Sequence, residues 1–309
     1  MFPIIPANTA TASFPENDEG IFGFGNKGGS PIQTAVTNLV SNTGVVSSDT
    51  AAVGTARESL GACEYGGDKG IFGYGTTGTH TAVTNLVSNT GVIATDVAGV
   101  GTARNYLAAC SYGNDKGIFG FGSLPGAPYL TAVTNLVSNT GVVATDTAGV
   151  GTARPYLAAC EYGGDKGIFG YGRGTPSGTT ADINLVSNTG VVATDTAGVG
   201  TARLWPAACS YGGDKGIFGF GYIDGSTFTA VTNLVSNTGV VSSDTAAVGT
   251  ARYGPAATQY GSDKGIFGYG YTGAQSSITN LLSNAGVVAS DQAAATGTAR
   301  TYLKACSFN

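Results

Sequence analysis

Five cysteines, Cys63, Cys110, Cys160, Cys209 and Cys306, fall at one register of the chain, and Thr258 fills a sixth place. Converging thiols would hold a metal or form a reactive sulfur ring. The spacing points elsewhere. No CxxC pair exists, and equivalent places in successive repeats are too far apart for a disulfide. The cysteines therefore read as small apolar core residues. Asp96, Arg104 and Lys116 also have counterparts in the other repeats. An active site needs one constellation and not six, so these read as structural, with the arginines pairing to carboxylates or carbonyls between repeats. His80 is the only histidine, which leaves no Ser-His-Asp or His-metal site. Glu58, Asp182 and Asp224 are the carboxylates that could serve glycoside hydrolysis, but they belong to three different repeats. The Asn/Asp hairpins carry too few carboxylates for calcium. The Gly-rich blocks follow no βαβ pattern, which excludes a phosphate loop. No enzyme, cofactor or metal is expected.

The elements that must position these residues come from one repeated sentence. GIFG[YF]G occurs six times, with its Ile at 21, 71, 118, 168, 217 and 266. Each unit continues with a variable stretch, TAVTNLVSN, TG, VVATDT, AGVGTAR, a variable pair, LAACSY and GGDK. TNLVSN and GVVATD are β-rich runs joined at a Gly-containing turn. YLAACSY and GIFGYG are joined through GGDK or GNDK. No segment keeps a helical period. Six four-stranded units of this length predict an all-β, six-bladed β-propeller over 17–309, preceded by an extended N-terminal arm over 1–16. The chain opens on the second half of a unit and closes on the first half. Joined tail to head they rebuild one blade, so the C-terminal strand is expected to complete the first blade and close the ring. A linear solenoid would need capping units at both ends.

An alternation supports that ring. Glu64, Ser111, Glu161, Ser210, Gln259 and Ser307 follow the cysteine place, while Phe24, Tyr74, Phe121, Tyr171, Phe220 and Tyr269 occupy the GIFG[YF]G aromatic. Units with Glu or Gln carry Tyr, and units with Ser carry Phe. A hydrogen bond from the Tyr hydroxyl, direct or through a neighbour, would couple the two.

Composition bounds the function. Of 309 residues, 51 are Gly and 11% are charged, against ~25% in ordinary soluble proteins. This suits extracellular or virus-particle proteins better than cytosolic enzymes. A net charge of −5 argues against a nucleic-acid partner. No run of ~18 apolar residues exists, so no membrane span is expected. The start, MFPIIPANTATASFPEN, reads as a poor signal peptide. Free thiols suit assembly in a reducing compartment.

GTARNYLAACSYGNDKGIFGFG (101–122) resembles the core of a kelch repeat: an Arg opening the inner strand, small residues, a turn, then an apolar strand ending in glycines. It departs from that family in having G-x-G where a Gly pair is usual, in lacking the outer-strand Tyr and Trp, and in its shorter loops. Near-identical repeats of this kind also resemble kelch-like proteins predicted in large marine bacteriophages. That likeness implies a virion structural or host-attachment protein, such as a tail fibre component.

If strands run in the order given, GGDK and SNTG turns lie on one face, which is nearly constant. The other face carries the variation: loops NKGGSPIQ, TTGTH, SLPGAPYL, RGTPSGTTAD, YIDGSTF and YTGAQSS, and the pairs ES, NY, PY, LW, YG and TY after each TAR. Loops on a rigid scaffold are where binding sits, and Tyr and Trp give contact area at low entropy cost. The candidate ligand-binding residues are His80, Tyr106, Tyr129, Tyr156, Arg173, Trp205, Tyr222, Asp224, Tyr253, Tyr271 and Tyr302. The expected function is a non-enzymatic display module on a virion, anchored to other subunits through the apolar arm and binding a host glycan or receptor. The alternative is an extracellular or cell-surface lectin-like adhesin.

Overall fold

A computed structural model describes residues 18–308 apart from 52, 175–177, 224–226, 247 and 294. The expected arm over 1–16 and the candidate Asp224 lie outside the described residues. The described chain is all β, with no helix. In chain order the strands are β1 (Glu19–Gly23), β2 (Thr37–Val40), β3 (Gly61–Tyr65), β4 (Lys69–Gly73), β5 (Thr84–Val87), β6 (Ala108–Tyr112), β7 (Lys116–Ser123), β8 (Leu130–Val137) and β9 (Ala158–Tyr162). There follow β10 (Lys166–Gly170), β11 (Ile183–Val186), β12 (Ala207–Tyr211), β13 (Lys215–Ile223), β14 (Thr227–Val235), β15 (Ala256–Tyr260), β16 (Lys264–Tyr271), β17 (Gln275–Leu282) and β18 (Lys304–Phe308).

These strands make six separate three-stranded antiparallel sheets in a propeller-like arrangement. The first sheet runs β18–β1–β2, with Ile21 opposite Cys306, and the other five each use three consecutive strands. The inner strands pack side by side: β3 on β6, β6 on β9, β9 on β12, β12 on β15, β15 on β18 and β18 on β3.

The expected fourth strand, GVVATD, departs from a regular ladder. In the third sheet it is tied by two isolated bridges, Val137↔Val143 and Thr134↔Thr147. Three steps on β8 face four on the outer segment, which is a one-residue bulge. The Asn135 side chain fills the gap, its Nδ2 donating to Ala144 O at 3.0 Å and to Asp146 Oδ1 at 2.9 Å. The same Asn–Asp pair recurs at Asn38–Asp49, Asn85–Asp96, Asn184–Asp195, Asn233–Asp244 and Asn280–Asp291. A side chain thus replaces part of a backbone ladder, which a propensity pattern does not reveal.

Each seam between sheets stacks a buried arginine on the ring of the preceding sheet, while the arginine's hydrogen bonds differ: Arg203 Nε, Arg252 Nε and Arg300 Nε have no partner among the described residues. The aromatic of GIFG[YF]G sits at positive φ (Phe121, 65°), and a register shift between Gly120 and Gly122 turns its ring toward the next sheet. There Arg154, fully buried, stacks on Phe121 at 4.7 Å. Its Nε donates to Tyr171 O at 3.0 Å, and an Nη donates to Asn184 Oδ1 at 2.6 Å. The backbone strain costs about 1–2 kcal/mol, and a desolvated cation–π contact of about 2 kcal/mol offsets it. The last seam joins the sixth sheet to the first: Arg300 stacks on Tyr269, and Phe22 meets the same ring at 5.1 Å. The arginines bond mainly to carbonyls and Asn amides. Arg154–Asp195, at 3.4 Å, is their only ion pair among the described residues.

The cysteine register has a steric reason. A β-carbon on Gly117 would lie 2.5 Å from Cys63 Sγ of the preceding sheet, and one on Gly20 would lie 2.7 Å from Thr258 Cγ2. The sulfur occupies the space left by the first glycine of GIFG, and Thr258 does the same with a methyl. All five cysteines are free and buried, and burial pushes the Cys160 thiol up to about 12.

Candidate functional site: the variable face and its aromatic cap

The two constant turns share one face. Asn188 Nδ2 donates to Asp165 Oδ2 at 3.0 Å within a sheet, and Gly113 N donates to Asp165 O of the next sheet at 2.7 Å. The two variable stretches share the other. Glu58 bridges Thr76, Asn105 bridges Ser123, Leu204 bridges Tyr222, Tyr253 bridges Tyr271, and Thr301 bridges Asn26.

At the centre of the variable face, the second residue after each TAR forms a ring around the axis. Ser59, Tyr106, Tyr156, Trp205, Gly254 and Tyr302 all have φ between 51° and 66°. That left-handed turn is unusual for bulky residues. It aims each N–H at the preceding residue of the ring. Tyr106 N donates to Ser59 O, Tyr156 N to Tyr106 O, Trp205 N to Tyr156 O, Gly254 N to Trp205 O, Tyr302 N to Gly254 O and Ser59 N to Tyr302 O, all within 2.8–3.1 Å. One backbone geometry therefore carries four aromatic residues, a serine and a glycine.

The side chains make a continuous aromatic patch. Tyr106 packs on Tyr156 at 4.6 Å, Tyr156 on Trp205 at 4.6 Å, and Trp205 on Tyr253 at 5.3 Å. Tyr302 meets Tyr106, Trp205 and Tyr253 at 5.8–5.9 Å. Tyr253 and Tyr271 extend the patch outward, and Tyr222 flanks it. Trp205 Nε1 is buried with no hydrogen-bond partner among the described residues. Burial pushes the hydroxyls of Tyr106, Tyr253 and Tyr302 up, so these three stay uncharged at neutral pH.

Seven of the eleven sequence candidates thus come together: Tyr106, Tyr156, Trp205, Tyr222, Tyr253, Tyr271 and Tyr302. Three do not join the ring contacts. His80 is bridged to Thr76 within its own loop, Arg173 is exposed beside Thr179, and Tyr129 projects alone, 64% exposed. Sequence reasoning missed Phe228, which packs on Tyr253 at 5.3 Å. It is the aromatic end of the YIDGSTF loop, a signal legible in the sequence. Of the hydrolytic carboxylates, Glu58 accepts from Gln33 Nε2 at 3.1 Å, while Asp182 gives its backbone carbonyl to Tyr171 N in the fourth sheet. No hydrogen bond or ion pair among the described residues joins them, and the third, Asp224, lies outside the described residues.

The opposite end of the axis carries the alternating Glu and Ser. Glu64 bridges both neighbouring sheets, accepting from Ser307 N at 3.0 Å, from Ser307 Oγ at 2.7 Å and from Ser111 Oγ. That contact accounts for the Glu–Ser alternation at Glu64. The Tyr–Phe alternation is separate: Tyr74 and Tyr171 give their hydroxyls to the carbonyls of Val100 and Val199, and not to Glu. Burial first, then the charges of Glu64 and Asp165, push Glu161 up to about 8. A scan against protein-family models gives no match, and a search of curated proteins finds none either.

Proposed function

We propose that this chain is a closed six-bladed β-propeller of kelch-like type, its fourth strands bulged and completed by Asn side chains, and that it acts as a non-enzymatic recognition module. The observation that carries the reading is the aromatic patch. It is built from positions that change between otherwise near-identical repeats, on one backbone ring that does not change. A scaffold needs no such concentration of Tyr and Trp at a partly exposed surface. The returning seam at Arg300 and the pairing of β18 with β1 support closure. The setting that fits best is a virion surface or tail-associated protein, with the constant face and the arm held by other subunits and the variable face turned to a host. A cell-surface lectin-like adhesin is the second reading, favoured by the floor of Tyr and Trp, on which sugar rings stack.

The test is binding of the purified protein to a broad glycan panel, beside a variant carrying Tyr156→Ser, Trp205→Ser and Tyr302→Ser. Serine already stands at this place in the ring, at Ser59, so the variant keeps a residue the backbone accepts. Binding by the native protein alone supports recognition at the cap. Equal binding by both moves the site elsewhere, and no binding by either removes the glycan reading.

A further inference from the structure

Lys304 breaks the repeat inside the axial channel. At its register the other five sheets carry Gly61, Ala108, Ala158, Ala207 and Ala256. The channel descends from the aromatic cap through a collar of Leu60, Leu107, Leu157, Pro206, Pro255 and Leu303, and then through rings of alanine. Lys304 borders both levels, beside small voids of about 20 and 30 Å³. Each has room for one or two waters or a single monatomic ion. The ammonium has no carboxylate within 4 Å and no hydrogen-bond acceptor among the described residues.

The channel's own acids do not meet that need. Glu64 is satisfied by Ser307 and Ser111. Glu161 is pushed up to about 8 and is mostly protonated at neutral pH. The nearby Tyr302 hydroxyl is neutral as well. Lys304 is partly exposed to the channel space, and an ammonium there with no acceptor is costly unless water or a counter-ion meets it. Burial lowers the Lys304 amine to about 8.

We infer that Lys304 forms a binding site for a single halide ion in the axial channel, between the leucine–proline collar and the alanine ring. The ammonium supplies the N–H donors. A halide, small and weakly hydrated, suits so narrow a space better than sulfate, which is larger and holds its water more strongly.

Crystals grown with bromide as the only halide test the site by anomalous scattering, for the native protein and for Lys304→Ala. Alanine occupies this register in four other sheets, so the variant is expected to fold. The expected result is one bromide within hydrogen-bond reach of Nζ in the native protein and none there in the variant. No bromide at Nζ, or a peak that survives in Lys304→Ala, overturns the site. As a second readout, the Lys304 midpoint followed by NMR should be about one pH unit higher in bromide than in gluconate. Equal midpoints in the two salts also overturn it.

Discussion

The seams and the cap are both sixfold, yet they are built in opposite ways. At the seams the side chains are nearly invariant: an arginine, an aromatic at positive φ, an Asn and an Asp, repeated around the molecule. At the cap the backbone is invariant, with six left-handed residues joined N–H to C=O, while the side chains run from glycine to tryptophan. Stability is placed where side chains repeat, and variation where the main chain alone makes the contact. A ring held by backbone hydrogen bonds tolerates any side chain that accepts the turn, so it can change its surface without changing its shape.

The sharpest way to break that contrast is to remove a seam residue. Arg104→Ala strips donors from Phe121 O and Asn135 Oδ1 and empties a buried stack on Tyr74. The expected loss is about 3–5 kcal/mol in urea unfolding. Trp205→Ser at the cap should cost only about 1–2 kcal/mol in the same assay, because the ring keeps its backbone bonds. Equal losses at the two places would dissolve the distinction.

The belt of Glu and Ser at the far end of the axis gives a finer test. Glu161 binds its proton more tightly folded than unfolded, so stability drains away as pH rises from about 4.3 toward about 8. Glu161→Gln, the residue that Gln259 already places in another sheet, should raise the melting temperature by several degrees at pH 9 and leave it nearly unchanged at pH 4. A variant less stable at pH 9 would count against the buried, protonated acid.

The smallest effect belongs to the clasps, where Thr102 N–H and hydroxyl hold Asp146. Burial alone would raise that carboxyl, but Thr102 and Asn135 outweigh it and hold it below the usual range. Five further aspartates are held the same way. Their contribution is full above about pH 4 and fades as pH falls through the lower folded value. Acid titration of Asp146→Asn against the native protein should therefore show a modest gap at neutral pH that closes as pH falls through the lowered folded value. A gap that widens in acid would contradict the clasp.

Much of this was legible in the residues. The period of GIFG[YF]G gave six units, and the positions that vary gave the face on which Tyr106, Tyr156, Trp205 and Tyr302 meet. What stayed hidden depends on side chains that stand in for main chain or for absent atoms. The Asn135–Asp146 pair replaces ladder bonds in what reads as an ordinary strand. Cys63 is explained only by the missing β-carbon of Gly117 in the next sheet. The left-handed ring at the cap is invisible because Tyr and Trp do not advertise positive φ. Lys304 reads as one more polar residue until its register is compared with Ala108 and Ala256.

Trp205 is the only tryptophan in the chain, so fluorescence excited at the red edge, where the fifteen tyrosines do not absorb, reports on the cap alone. Titrating the native protein with each glycan or receptor fragment that it retains, and following that emission, tests the central claim most directly. The account predicts a saturable change in intensity or wavelength at the same ligand concentration that half-saturates binding. A ligand that binds fully while the Trp205 emission stays unchanged would place recognition away from the aromatic cap and contradict it.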